Sequence, residues 1–186
     1  MFTLLLKPSF LQISEQFRLN IAITLGIYDT LAALDIPNLR IKWPNDIFIE
    51  NRKVAGVLIE SLISRNRMDS ALIGIGLNVN QQHFSLPSAT SLFLELKQEF
   101  DREQLLCSLC ENIENQYQQL PQNEWTELKK QFEDKLFRIN EWHLFRKDNE
   151  TFQGKIRGIT RTGQLLIETK FGLNQFENKE FEYLLQ

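Results

Sequence analysis

The sequence predicts an α/β chain in two parts: an amino-terminal sheet with packing helices over residues 1–136, and a small all-β unit over 137–186. Three observations predict it. Arg40–Glu60 holds two apolar runs, Ile47–Ile49 and Val54–Ile59, around the polar turn Glu50-Asn51-Arg52, which reads as a β-hairpin. Two long segments, Ile13–Leu34 and Asp101–Leu120, carry apolar residues at helical spacing. From Phe137 onward the chain turns to short strands separated by tight turns, a meander suited to a small barrel.

Taken in order, Met1–Pro8 is a buried-strand pattern that opens the chain with no lead-in. Ile13–Leu34 is the first helix, with Ser14 as its N-cap and Phe17, Ile21, Leu25, Tyr28 and Leu31 on one stripe; Asp35-Ile36-Pro37-Asn38 ends it. Pro44 cannot donate to a ladder, so it fixes a bend where the chain enters the hairpin. Ser64–Asp69 is a polar turn, and Ala71–Val79 a continuous apolar strand. Gly74-Ile75-Gly76 within it is no dinucleotide fingerprint, because the third glycine is missing and no helix follows at once.

Gln81–Pro87 reads as loop and Ser88–Glu99 as a short helical segment. In Asp101–Leu120, Asp101 and Gln104 stand in capping-box relation, and Leu105, Leu109, Ile113 and Tyr117 form the inner stripe. Cys107 and Cys110 lie in this helix, with no second Cys/His pair at ligand spacing, and read as small half-buried core residues. Pro121-Gln122-Asn123 breaks the chain before a last helix, Glu124–Leu136. The strands that follow are placed around Ile139, at Trp142–Phe145, Thr151–Ile156, Leu165–Glu168 and Phe181–Leu184, with turns at Asp148-Asn149, Arg161-Thr162-Gly163 and Phe171-Gly172.

Composition narrows the function classes. Of the 186 residues, 42% are hydrophobic and 24% charged, as in ordinary globular proteins. A net charge of −3 argues against bulk nucleic-acid affinity. No apolar run reaches the ~20 residues needed to span a bilayer. Two cysteines build no disulfide framework, which fits a reducing cytoplasm.

The chemistry gathers in the hairpin. Lys42, Trp43, Pro44, Asn45 and Asp46 precede the first run; Lys53 heads the second strand, and Gly56 interrupts it with bare backbone where a ligand can lie close. Two cations, an amide, a carboxylate and unclad backbone make the larger part of a site. Trp43 and Phe48 flank a bend and read as packing, Asn45 as structural first and a ligand contact second. His143 has no catalytic partner in sequence.

The stretch Lys42-Trp43-Pro44-Asn45-Asp46, an apolar strand, a short turn, then Lys53-Val54-Ala55-Gly56-Val57-Leu58-Ile59-Glu60 resembles the signature of the biotin protein ligases. Ile73–Asn80 resembles that family's next motif, and Gly158–Leu165 is similar to a turn in its SH3-like carboxy-terminal domain. The resemblance is close from Met1 to about His83 and a matter of pattern beyond. It implies a mostly antiparallel mixed sheet with helices on one side, plus an SH3-like barrel.

The same resemblance implies a biotin–protein ligase that uses ATP and biotin, with Mg2+ accompanying the ATP, and a carboxylase carrier domain as protein partner. Lys53 would neutralise the meeting of carboxylate and α-phosphate, Lys42 would meet the phosphates, and Asp46 would take the proton of the acceptor lysine. Trp43, Asn45, Val54, Ala55, Gly56, Gly74, Gly76 and Asn78 form the implied substrate-binding set, Asn78 reading either as a partner for a purine edge or as a cap on a neighbouring turn. No carboxylate cluster reads as a protein metal cage. In that family the first strand is preceded by a segment with a glycine- and arginine-rich loop that folds over biotin and its adenylate, and no Gly-Arg-Gly run occurs in this sequence. The expectation is a chain begun at a methionine internal to a longer ligase, or a natural product lacking that half of the site. The rival readings are a catalytically impaired or non-catalytic remnant that keeps carrier docking or dimerisation, and a lipoate-attaching relative. Some members of that family carry an amino-terminal winged-helix domain that represses transcription; the expectation here is a chain without one and without DNA binding, while an exposed sheet edge would invite homodimer formation.

Overall fold

The computed structural model describes residues 1–64 and 66–184. Two antiparallel sheets stand in sequence, with one long helix inserted after the first strand and three more between the sheets in the chain. The first sheet is built from β1 (Phe2–Leu6), β2 (Leu39–Lys42), β3 (Asp46–Ile49), β4 (Arg52–Ser64) and β5 (Arg67–Leu77), in the order β1-β5-β4-β3-β2. Strands β2 to β5 form a plain meander, and β1 closes the order on the outer side of β5. Among the described residues all strand pairings are antiparallel, and parallel geometry occurs only at isolated bridges such as Ile41 with Leu136.

One face of this sheet is covered and the other open. Ile41, Ile47, Ala55, Val57, Ile73 and Ile75 turn inward and are buried, against helix α1 (Gln16–Ala32). On the opposite face Leu5, Leu58 and Leu72 are exposed. The continuous burial expected of the first strand is therefore an alternation: Phe2, Leu4 and Leu6 point in, Thr3 and Leu5 out.

Helix α1 is buried almost all round, because α3 (Arg102–Gln119) covers its far side. A Cβ on Gly26 would come within 2.6 Å of the Ile113 backbone, so glycine permits this close crossing. The expected Ser14 cap is not used. Ser14 lies in a 3₁₀ turn, Ile13–Glu15, which is closed by a reciprocal Gln12–Glu15 capping box. Arg18 holds the end of α3, donating to the carbonyls of Leu120 (2.6 Å) and Asn123 (2.8 Å). Asp101 is the N-cap of α3, the half of the expected capping box that is seen, accepting from the amides of Glu103 and Gln104. Cys107 is exposed and Cys110 half-buried, so only the second fits the core reading.

The other helices are shorter than the pattern indicated: α2 spans Leu92–Leu96, capped by Ser91, and α4 spans Trp125–Glu133. Strand β5 starts earlier than expected, at Arg67, leaving a tighter turn than Ser64–Asp69; Arg65 in that turn lies outside the described residues.

The second sheet contains β6 (Trp142–Lys147), β7 (Glu150–Ile159), β8 (Leu165–Thr169), β9 (Gly172–Phe176) and β10 (Glu182–Tyr183), in the order β10-β6-β7-β8-β9. The sequence pattern lacked β9, whose Gly-Leu-Asn-Gln-Phe is exposed except at Phe176. The last strand is shorter than Phe181–Leu184, and Leu185 and Gln186 lie outside the described residues. The two edge strands do not pair with each other. Aromatic packing closes the curl instead: Phe176 at the end of β9 meets Phe181, just before β10, with ring centroids 5.3 Å apart. No helix among the described residues is long and apolar enough to cross a membrane.

Candidate functional site

Register places the hairpin's polar residues in one row. Lys42 on β2 stands opposite Asp46 on β3, Asp46 opposite Gly56 on β4, and Gly56 opposite Gly76 on β5. Directly paired residues share a face, so the row runs across the open side of the sheet. Two glycines in neighbouring strands leave backbone uncovered there, with Gly74 one pleat away.

Lys53 joins this row through an irregularity. By strict alternation from Gly56 its side chain would point to the core. The register of β3 with β4 shifts between Ile47, opposite Ala55, and Phe48, opposite Lys53, so that Val54 is the extra residue of a β-bulge. A bulge re-aims the residues beyond it. Val54 and Ala55 are buried, and Lys53 emerges on the open face, its Nζ 2.6 Å from Asp46 Oδ1. A Cβ on Gly56 would lie 2.7 Å from Lys53 Nζ and 2.8 Å from Asp46 Oδ1, so the ion pair arches directly over the bare glycine.

Beside this pair is a hollow of about 490 Å³ lined by Lys53, Gly56, Leu58, Gly74, Gly76 and Asn78 among others. Where β5 ends, the segment Ser88–Thr90 takes its place beside β4: the Lys53 amide donates to Ser88 (2.8 Å) and the Thr90 amide to the Lys53 carbonyl (2.9 Å). Asn78 Nδ2 donates to the Thr90 carbonyl (2.9 Å), so this amide braces the wall of the hollow it lines. Arg52 ties the start of β4 to Glu95 of α2 at 2.8 Å.

A second hollow, of about 530 Å³, adjoins Lys42 and Asp46 and reaches to Lys179, in the turn before β10, and to Tyr183 on β10. Lys42 is half-buried. Burial holds its pKa below the ordinary lysine value; Asp46 opposes that shift, and the like charges of Lys53 and Arg138 add to it. A larger groove of about 740 Å³ lies elsewhere, between Phe2, Leu77 and the start of α3, and contains none of the hairpin's charged residues.

The remaining residues of the implied substrate set take supporting places. Trp43 is 5% exposed; its indole N–H donates to the Gly163 carbonyl (2.8 Å) and its ring stacks on Phe181. Its contacts therefore join the two sheets. Asn45 Nδ2 donates to the Val57 carbonyl (2.8 Å), and the loop is held from below by Asn20 Nδ2 on the Pro44 carbonyl (2.9 Å). Val54 and Ala55 contribute backbone to the hollow while their side chains enter the core. Sequence reasoning missed Asn20, Arg138 and Tyr183. A polar residue inside the apolar stretch of α1 was the only signal for Asn20; the other two reach Lys42 only through tertiary folding.

Among the described residues, no group of three or more His, Cys, Asp or Glu side chains is placed to hold a metal ion. The phosphates of a nucleotide, with water, would have to supply most ligands of any cation bound there.

The profile of the biotin/lipoate A/B protein ligase family matches residues 2–78. The bifunctional ligase/repressor BirA of Bacillus subtilis (strain 168) is 35% identical over 147 residues, covering 76% of this chain and 45% of that protein. The protein of the same name from Escherichia coli (strain K12) is 27% identical over 154 residues, 81% of this chain and 48% of its own length. A biotin–[acetyl-CoA-carboxylase] ligase of Paracoccus denitrificans is 37% identical over 79 residues, 41% of this chain and 32% of that protein. The chain thus spans about half the length of the BirA relatives it matches. Among solved structures, the biotin protein ligase from Aquifex aeolicus in complex with biotin and ATP superposes with a TM-score of 0.80 at 27% identity, over 100% of this chain and 78% of that one.

Proposed function

The chain belongs to the biotin/lipoate A/B protein ligase family, and from that premise we propose that it works as an ATP-dependent biotin–protein ligase. The reading has biotin and ATP joined as biotinyl-adenylate with release of pyrophosphate, and the biotinyl group then passed to a lysine of a carboxylase carrier domain, forming an amide as the acyl–phosphate bond breaks and AMP leaves. The observation that carries it is the arrangement over Gly56: a cation and a carboxylate paired above bare backbone, with a second cation on the same row.

Acid activation brings a carboxylate up to a triphosphate. At a surface-like effective dielectric, two unit charges ~4 Å apart interact by about 4 kcal/mol, here as repulsion. Lys53, at the rim of the glycine-floored hollow, is placed to offset that repulsion where biotin's carboxylate would meet the α-phosphate. Lys42, across the row, is placed for the trailing phosphates. Mg2+ bound with the nucleotide would neutralise further phosphate charge. Lys53 is already oriented by Asp46, so little reorganisation is needed as the new bond forms. Val54, Ala55, Gly56, Gly74 and Gly76 supply the backbone floor, and Asn78 and Asn45 keep its walls in place.

Transfer requires an uncharged amine, while a free lysine has a pKa of about 10.4. Asp46 is the carboxylate that can orient an incoming ammonium and take its proton. Once the adenylate has formed and pyrophosphate has left, Lys53 can turn to the remaining phosphate, freeing Asp46 for that role. The acceptor named by the Paracoccus relative, acetyl-CoA carboxylase, is the first carrier to try. The free cysteines suit a cytoplasmic setting.

The test is incubation with biotin, ATP, Mg2+ and a purified carrier domain, read by intact mass, alongside calorimetry with biotin alone. Addition of one biotinyl group to one carrier lysine supports the reading. Biotin binding without transfer overturns it in favour of a non-catalytic remnant, and transfer of lipoate in place of biotin overturns it in favour of the lipoate-attaching relative.

A further inference from the structure

Lys42 is held by rings from both sheets. Its Nζ lies 5.0 Å from the ring centroid of Phe48 on β3 and 4.9 Å from that of Tyr183 on β10. Phe137 packs against both rings, 5.6 Å from Phe48 and 6.3 Å from Tyr183. Tyr183 is fixed in turn by Phe145 and Phe181, at 5.5 Å and 5.3 Å. Of the charged groups that act on Lys42, Asp46 attracts it while Lys53 and Arg138 repel it, and Lys179 and Glu182 line the same hollow. Asp46 is moreover shared with Lys53. Two aromatic faces supply the direct contacts seen on this long, flexible cation.

The Tyr183 hydroxyl does not do the holding. It is buried and makes no hydrogen bond among the described residues, so the ring is the working part and the hydroxyl is expendable.

We propose that Tyr183 is a positioning residue for Lys42: its ring and that of Phe48 clamp the ammonium beside Asp46, so the carboxy-terminal sheet sets the second cation of the site. The functional consequence rests on the ligase reading above, while the clamp itself does not.

Two variants of the full chain separate ring from bulk. Tyr183→Phe keeps the π face; Tyr183→Leu keeps apolar volume and removes it. The first measurement needs no activity: the pH dependence of Lys42 acetylation by acetic anhydride, followed by peptide mass spectrometry, with thermal melts to confirm folding. In the starting protein the midpoint lies below the ordinary lysine value of 10.5. In Tyr183→Leu the ammonium, pushed by Lys53 and Arg138, escapes to water and the midpoint rises toward that value, while Tyr183→Phe restores the lower midpoint. An unchanged or lower midpoint in Tyr183→Leu means that the ammonium stays without the ring, and the proposal is overturned.

The second measurement is steady-state adenylation. Tyr183→Leu is expected to raise KM for ATP about tenfold with KM for biotin unchanged, and Tyr183→Phe to rescue it. A rise in both KM values, or no change in either, overturns the positioning role. If the starting protein forms no adenylate, the ligase reading fails by itself and the acetylation profile still judges the clamp.

Discussion

Lys53 and Asp46 meet at 2.6 Å although strict strand alternation would put their side chains on opposite faces. The bulge at Val54 brings them together, and Gly56 leaves room beneath them. The pair is partly solvated, its side chains 45% and 25% exposed. Such pairs are worth only ~0–1 kcal/mol, so this one is better explained by chemistry than by stability.

Lys53→Ala should therefore separate activity from folding. Loss of one preorganised charge at the reacting oxygen typically costs about 10²–10³ in rate. Biotin-dependent pyrophosphate exchange is expected to fall by that order, with the melting temperature almost unmoved. Undiminished exchange would remove Lys53 from its assigned place.

Gly56→Ala tests the floor of the hollow. The added methyl meets the far ends of two flexible side chains rather than backbone, so the fold should tolerate it. The Lys53–Asp46 pair would open and the methyl would occupy ligand space. Titration calorimetry with biotin should show affinity weakened at least about tenfold, a loss of about 1.4 kcal/mol. Unweakened binding would mean that the ligand lies elsewhere.

Gly26→Ala probes the other face of the molecule. Here the methyl meets Ile113 main chain at 2.6 Å, which no rotamer change relieves. Overpacking of this kind costs about 1–3 kcal/mol, and urea unfolding should show the loss with biotin affinity retained. A variant as stable as the parent would show that α1 and α3 can move apart freely.

Glu133 gives a pH signature. Its Oε1 accepts the Ile159 amide at 2.7 Å, yet burial raises the carboxyl pKa above its ordinary 4.5. The folded state then binds a proton more tightly than the unfolded one. Stability declines as pH rises from the ordinary value to the raised one, and stays lower above it. Glu133→Gln keeps a side-chain oxygen that can accept from Ile159 and never ionises. Denaturation across pH should find the variant favoured above the raised pKa, with its advantage shrinking in acid where Glu133 is protonated. An advantage that grows in acid would refute the direction of the shift.

Much of this was legible from residue order because the relevant signals are local. The hairpin turn at Glu50–Asn51, the Asp101 cap and the stripe Leu105–Leu109–Ile113 depend on neighbours a few positions away. Where the reading fell short, distant contacts or weak patterns decided. Strand β9 has an open edge and little apolar content, so nothing in its residues announces a strand. The outward turn of Lys53 follows from a bulge that no alternation rule contains. Trp43 finds its acceptor on Gly163, 120 positions away, and Lys42 finds a ring on the last strand. The residues of the motif were therefore readable as a group, but their division between support and chemistry was not.

The ties between the two sheets bear on how such a molecule could move. Trp43 to Gly163, Glu133 to Ile159 and Arg161 to Glu15 span the junction at separate points. Swinging the halves apart would rupture all three at once and carry an indole into solvent. A hinge is thus a poor way to admit and release cargo here, because the cross-links hold the two lobes at three separate places.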